Sequence, residues 1–339
     1  MSRVEPDEQQ TRSAAGGAYP SLSTGEPVHP LLDPAQAQPA DETEADDDEP
    51  VRSWFSEFGL PIGLFVLTVF TTLWAGAYQT KTTLFQSPWK FLTDDPSVLW
   101  KGIPFSATLL AILVTHEFGH YLLSRIHRAP ASLPLFIPGF PQLVGTFGAI
   151  IRMRGPISNR KALFDIGVAG PLAGFIVAVI ALAVGLQWSE VVLDSGITDT
   201  FRLGPSLLLD GFIWLFVGSV PYGHVIDLHP IAAAAWFGLF ITSLNLIPIG
   251  QLDGGHVAYA LWGERQKTVA FALLPLLIFL GFTGWPGWFV WIAMAGLFGF
   301  GHPPTMDPEA MLGRRRIWLG RFTVVIFVLT FSPIPITVR

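Results

Sequence analysis

From residue 60 onward the chain alternates long apolar runs with short polar connections. It does not cycle apolar and polar positions as a surface helix or a half-buried strand does. Seven runs read as membrane spans: 60–78, 103–124, 162–186, 231–249, 268–282, 286–300 and 317–331. A bilayer core takes about 20 helical residues. The fifth and sixth runs, a hairpin around Thr283-Gly284-Trp285, are short for straight crossings and are expected to be partly re-entrant. Residues 207–220 are apolar but short and hold Asp210, which suits a helix lying on the membrane surface. Residues 134–154, broken by Pro138, Pro141 and glycines and then rich in β-formers, read as a hairpin or re-entrant strand, or else as a basic surface loop. An exposed strand edge there offers pairing to an extended peptide. The expected fold is an all-α polytopic membrane protein of about seven transmembrane helices, with this short re-entrant or β-hairpin segment after the second. No fixed-period repeat is visible.

Composition agrees with the pattern and adds a tail. Half the residues are hydrophobic, 14% are charged, and mean hydropathy is +0.48, which excludes an ordinary soluble enzyme. Residues 1–50 hold twelve acids and two bases, whereas the remainder holds fourteen acids and eighteen bases. The stretch 1–52, rich in Pro, Gln, Ala and Ser and closing on Asp46-Asp47-Asp48-Glu49, cannot bury enough apolar surface to fold and is expected to be a disordered tail. It precedes a transmembrane domain over 53–339 with its core at 100–265. The N-terminus shows no basic stretch followed by an apolar core, so no cleavable leader is expected. No basic stripe suggests nucleic acid as a partner. Residues 125–161 carry six bases and no acid, and 187–230 carry five acids against Arg202 alone. The positive-inside rule then puts 1–59, 125–161, 250–267 and 301–316 in the cytoplasm. The expected setting is a bacterial inner membrane with the N-terminus cytoplasmic.

The second run contains the strongest chemical signal. It reads Thr115-His116-Glu117-Phe118-Gly119-His120, a His-Glu-x-x-His motif. Four-residue spacing puts both imidazoles on one helical face, where they can share a zinc ion while Glu117 faces a metal-activated water. The alternative is a chance match whose histidines pack against neighbouring spans. Ionisable groups at membrane depth are costly, which favours a functional role. The chain has no cysteine, so side-chain zinc ligands must be His, Asp or Glu.

A second stretch reads Asn245-Leu246-Ile247-Pro248-Ile249-Gly250-Gln251-Leu252-Asp253-Gly254-Gly255-His256. Asp253 followed by two glycines can be a helix end, or the third ligand of a catalytic zinc that keeps one position open. Pro248 can bend the chain and bring the carboxylate to the metal. If 207–220 stays on the surface, the second and fourth runs point the same way and the two motifs meet at one end. Asn245 can donate to substrate backbone or to a developing oxyanion, or else bond a neighbouring helix. His256 can orient Asp253 or be an ordinary surface histidine. His224, His229 and His302 have no motif partner. Gly170-Pro171-x-x-Gly174 in the third run reads as helix packing or as a point of gate opening.

With these motifs in this order, the chain resembles the site-2 protease family of intramembrane zinc metalloproteases. Gly145-Thr146-Phe147-Gly148 resembles the branch that includes plant chloroplast homologues and lacks a PDZ domain. The resemblance implies one zinc ion per chain held by His116, His120 and Asp253, with Glu117 as catalytic acid and base. Its implied partners are single-span membrane proteins within the lipid bilayer, cut in regulated intramembrane proteolysis. Asp-Gly-Gly-His here replaces the family's frequent Asp-Gly-Gly-Arg. A membrane metal transporter accounts for the ligands but not for Glu117 beside His116. An inactive homologue that binds membrane clients accounts for the fold but leaves every metal-site residue without a task.

Overall fold

The computed structural model describes residues 55–80, 95–194 and 201–338. The acidic tail over 1–52 and most of the connection after the first run lie outside them. Nine α-helices occur among the described residues: α1 (Leu60–Gln79), α2 (Ile103–Ile126), α3 (Arg160–Gln187), α4 (Leu207–Phe216), α5 (Pro230–Asn245), α6 (Asp253–Trp262), α7 (Arg265–Thr283), α8 (Gly287–Phe298) and α9 (Arg314–Thr330).

Four helical stretches there have the length and hydropathy of a crossing, rather than seven: Glu57–Gln79, Pro96–Ile126, Arg160–Gln187 and Arg265–Thr283. The others fall short for identifiable reasons. The fourth run stops being helical at Asn245, because Pro248 has no amide hydrogen and disfavours helix in the residue before it. Its sixteen helical residues rise about 24 Å, less than a hydrocarbon core of about 30 Å. α8 has twelve residues, and α9 carries Arg314, Arg315, Arg316 and Arg321 in seventeen. α4 is a ten-residue helix capped by the Ser206 side chain, which accepts from the Leu209 amide.

α3 is the centre of the bundle and packs against α2, α5 and α6. Small residues allow this. Gly119 lies over the Ala169 carbonyl, Gly185 over Ala232, and Gly238 over Ile112, so backbones approach where a side chain would hold them apart. The pairings also fix direction. Phe105, near the start of α2, meets Phe237 in the middle of α5 (ring centroids 6.0 Å apart), and farther along both helices His116 meets Asn245, so these two helices run parallel. α3 runs against both, with Gly174 at His116, Gly170 at His120 and Gly185 at Ala232. Both motifs therefore arrive at one end of the bundle.

Residues 134–154 contain two short antiparallel strands, β1 (Leu135–Pro138) and β2 (Thr146–Ile150), with Phe136 opposite Ala149 and an irregularity before Pro138. Thr71 of α1 donates to the Gly145 carbonyl at 2.6 Å and ties the turn to the bundle. Elsewhere, β3 (Glu190–Leu193) pairs with β5 (His224–Asp227), and β4 (Phe201–Leu203) with β6 (Ile336–Val338). These ladders of three or four residues are too short to show a two-residue alternation, and an all-α reading does not anticipate them.

Candidate metal centre

α2 brings its two histidines to α3 where α3 has no side chains. A Cβ at Gly170 would lie 2.1 Å from His120 Nε2, and one at Gly174 would lie 3.1 Å from His116 Cβ. The glycines of Gly170-Pro171-x-x-Gly174 are thus the seat of the imidazoles as well as a packing surface. His120 Nδ1 sits 2.7 Å from the Ile166 carbonyl. A carbonyl only accepts, so the proton is on Nδ1 and Nε2 is left bare for a cation.

Asp253 reaches the same point by another route. It opens α6 instead of closing the helix before it, and a carboxylate at a helix N-terminus meets the favourable end of the dipole. Between α5 and α6 the chain folds tightly back. A Cβ at Gly254 would lie 2.0 Å from the Leu246 carbonyl oxygen, and one at Gly255 2.2 Å from that of Gly250. Two glycines after the aspartate are a steric requirement of this turn.

The three donor atoms form a nearly equilateral triangle. His116 Nε2 is 3.1 Å and His120 Nε2 3.3 Å from Asp253 Oδ2, and the two nitrogens are 3.2 Å apart. Ligands about 2.0 Å from a tetrahedral zinc stand about 3.3 Å from one another, so the donor set fits zinc with one position open. The side chains are withdrawn from water: His116, Glu117 and His120 are 3%, 6% and 8% exposed. No side-chain hydrogen bond joins the Glu117 carboxylate to another described residue, which leaves it available to a small molecule in the site. Asn245 Nδ2 lies 3.4 Å from His116 Nε2, at the edge of the triangle. Leu244, the residue before Asn245, helps wall an apolar cavity of about 690 Å³ together with Phe140 and Phe147 of the hairpin region, Phe240 of α5, and Trp285 and Trp291; neither Asn245 nor any residue of the triangle lines it.

A sequence profile of peptidase family M50 matches residues 104–280, from the start of α2 nearly to the end of α7, and so contains both halves of the triangle. The chain belongs to peptidase family M50. Curated relatives include the probable zinc metalloprotease EGY2, chloroplastic, of Arabidopsis thaliana, 31% identical over 221 residues, which are 64% of this chain and 37% of the relative. The probable zinc metalloprotease EGY1, chloroplastic, of Oryza sativa subsp. japonica is 30% identical over 280 residues, 76% of this chain and 47% of the relative. The chain therefore spans less than half the length of these relatives. Its zinc-fitting donor set and its membership of M50, the site-2 protease family, agree.

Two clusters near this M50 site are absent from the motif reading. Asp165 of α3 accepts from Arg316 Nε and Nη2, each at 2.7 Å, and lies 2.9 Å from His127 Nε2, joining the ends of α2 and α9 one residue before the carbonyl that holds His120. An aspartate inside an apolar run was the available signal. The second cluster joins His302, which has no motif partner in the sequence, to His256, and it corrects the surface alternative for His256. His256 is half-buried, and its Nδ1 is 2.6 Å from His302 Nε2. His302 Nδ1–H donates to the Pro303 carbonyl, so His302 accepts and His256 donates. Burial, with His302 beside it, pushes His256 down to about 3, and burial also lowers His302, which keeps the pair neutral. A separation of 46 residues hides this pair from any local pattern.

Proposed function

We propose that this M50 protein is a zinc-dependent endopeptidase that cuts single-span membrane proteins within or beside the bilayer. The observation that carries the reading is the triangle of donor atoms 3.1–3.3 Å apart with the buried carboxylate of Glu117 adjoining it. His116, His120 and Asp253 hold the ion. A bound zinc ion supplies Lewis acidity, which activates water and polarises a carbonyl. Glu117 accepts the water's proton as the new carbon–oxygen bond forms, then delivers it to the amine nitrogen as the peptide carbon–nitrogen bond breaks. Asn245 donates to the substrate oxygen on which negative charge develops. A helical client hides its peptide bonds, so it must first unwind, and the apolar cavity beside Leu244 supports an apolar segment as occupant. The relatives' names, probable zinc metalloproteases, agree with this activity.

The domain carrying this activity is 53–339, with 1–52 as a separate acidic tail. The arginines of 125–161 and 314–316 support a cytoplasmic location for the metal end and for the N-terminus. On this course the hairpin over 134–154 dips into the bilayer from the cytoplasmic side, since irregular backbone is tolerated there only against protein or a wet cavity. α5, α8 and α9 complete the remaining crossings together with irregular chain. The relatives' names are chloroplastic and lend no support to a bacterial inner membrane, so the proposal carries the membrane and the orientation alone.

Glu117→Gln tests the reading. The variant should be folded, zinc-loaded and able to capture single-span clients, yet cleave them at least about 100-fold more slowly. Ion flux altered by the variant, with no client cut by either protein, would identify a transporter. Capture by both with cutting by neither would identify an inactive client-binding homologue.

A further inference from the structure

Near the start of α7, Gln266 is 1% exposed, and its amide is fully engaged. Nε2 donates to the carbonyls of Pro248 and Phe300, both at 3.1 Å, and Oε1 accepts from the His302 amide at 3.2 Å. A buried amide left unpaired is costly, so these bonds tie three separate segments together. All of them lead to Asp253. Pro248 lies in the loop that delivers the aspartate. Phe300 O also accepts from Gly250 N in the same loop, at 3.1 Å. His302 accepts from His256, which is one helical turn past Asp253 on α6. Within the loop the backbone bonds are short-range, Ile247 N to Leu244 O, Ile249 N to Ile247 O and Leu252 N to Ile249 O, so beyond the burial of Leu246, Ile247 and Ile249 its polar ties to the rest of the fold run through Phe300 and Gln266.

We propose that Gln266 is a positioning residue for Asp253: its amide locks the 246–252 loop and the first turn of α6 so that the carboxylate stays opposite Nε2 of His116 and of His120. The proposal rests on the zinc reading given above. It differs from a purely stabilising role in one respect. A stabiliser affects the zinc-free and zinc-loaded protein alike, whereas a positioner changes the difference between them.

The test uses the full chain in detergent, with zinc affinity measured by chelator competition and thermal midpoints taken with and without zinc. Gln266→Met keeps the apolar volume and removes every hydrogen bond. It should raise the zinc Kd about 10–100-fold, as loss of groups that orient ligands typically does, and should narrow the gap between the two midpoints. His302→Ala removes only the arm through His256 and should raise Kd less. Thr323→Val, which deletes a buried hydroxyl bonded to Leu319 O in α9, should lower both midpoints equally and leave Kd unchanged. A folded Gln266→Met with wild-type Kd overturns the proposal, however far its midpoint falls. If that variant does not fold, His302→Ala decides, and an unchanged Kd there overturns the proposal. A wild-type protein that binds no zinc removes the site reading and this proposal together, and it does so before any substitution is made.

Discussion

The two halves of the metal centre are built by different means. His116, Glu117 and His120 stand on one uninterrupted helix of 24 residues, where the backbone ladder alone fixes their relation. Asp253 stands at the start of a ten-residue helix behind an irregular loop, and its place depends on contacts from α7 and from the chain after α8. The helix half is preorganised by local geometry. The loop half is held from outside, so any softness in the triangle is concentrated there. The supports reflect this: a single backbone carbonyl, Ile166 O, orients His120, whereas Asp253 needs a buried amide, a histidine pair and two glycines.

The largest effect tests whether both halves are needed. His116→Ala, His120→Ala and Asp253→Ala should each fall from about one zinc per chain to nearly none, while Glu117→Gln keeps it. Full occupancy in Asp253→Ala would dissolve the comparison, because the loop would then carry no ligand. Removing zinc from the wild type sharpens it. Hydrogen exchange of amides in 246–256 should accelerate at least about tenfold, and that of amides in 108–120 should stay unchanged. Asn245, the last residue of α5, belongs to the helix side of the boundary. Asn245→Ala should leave zinc in place and lower kcat about 100-fold, the usual cost of one donor to a developing oxyanion. Loss of zinc instead would make Asn245 a support of the ligands.

This division also explains what was legible in the sequence. The spacing of His116 and His120 is a statement about one helix, and the parallel course of α2 and α5 followed once 207–220 was read as non-crossing. The ring of bonds around Gln266 joins residues 18, 34 and 36 positions away, and no periodic pattern encodes contacts of that range. Asp253 was ambiguous for the same reason: an acid before two glycines suits a helix end or a helix start, and only the return of the chain against Leu246 decides. Hydropathy and helix length part company at Pro248, which leaves an apolar run intact but ends its helix, so four helices among the described residues have the length of a crossing where seven apolar runs were expected.

A pair of glycine substitutions carries the comparison further. At Gly254 the obstructing atoms are backbone, the Leu246 carbonyl at 2.0 Å, and they cannot step aside without opening the loop. At Gly170 the obstruction is the His120 ring, a side chain that can rotate if it gives up Ile166. Overpacking of either kind costs about 1–3 kcal/mol. Gly254→Ala should therefore lower folded yield and zinc binding together. Gly170→Ala should give a folded protein whose zinc Kd is raised about 10–100-fold. Equal loss of folded protein in both would mean that the helix half is as brittle as the loop half.

The smallest effect is expected at Asp165, and it probes the helix half where it is best supported. The carboxylate takes two hydrogen bonds from Arg316 and faces His127, so Asp165→Asn removes the charge on which that junction depends. Hydrogen bonds to charged groups contribute about 1.5–3 kcal/mol when well shielded, and this one is partly open to solvent, so a cost of about 1–2 kcal/mol is expected. The loss should appear as a lower thermal midpoint with and without zinc. Ile166 is nevertheless held in α3 by the helix's own bonds and by packing on α2, so its carbonyl should remain under His120. The zinc Kd should then rise by less than about threefold, a change worth under about 0.7 kcal/mol. Gln266→Met is expected to show the reverse proportion, with modest destabilisation and a large loss of affinity. If Asp165→Asn weakens zinc as much as Gln266→Met does, the helix does not support its own ligands, and the contrast between the two halves is wrong.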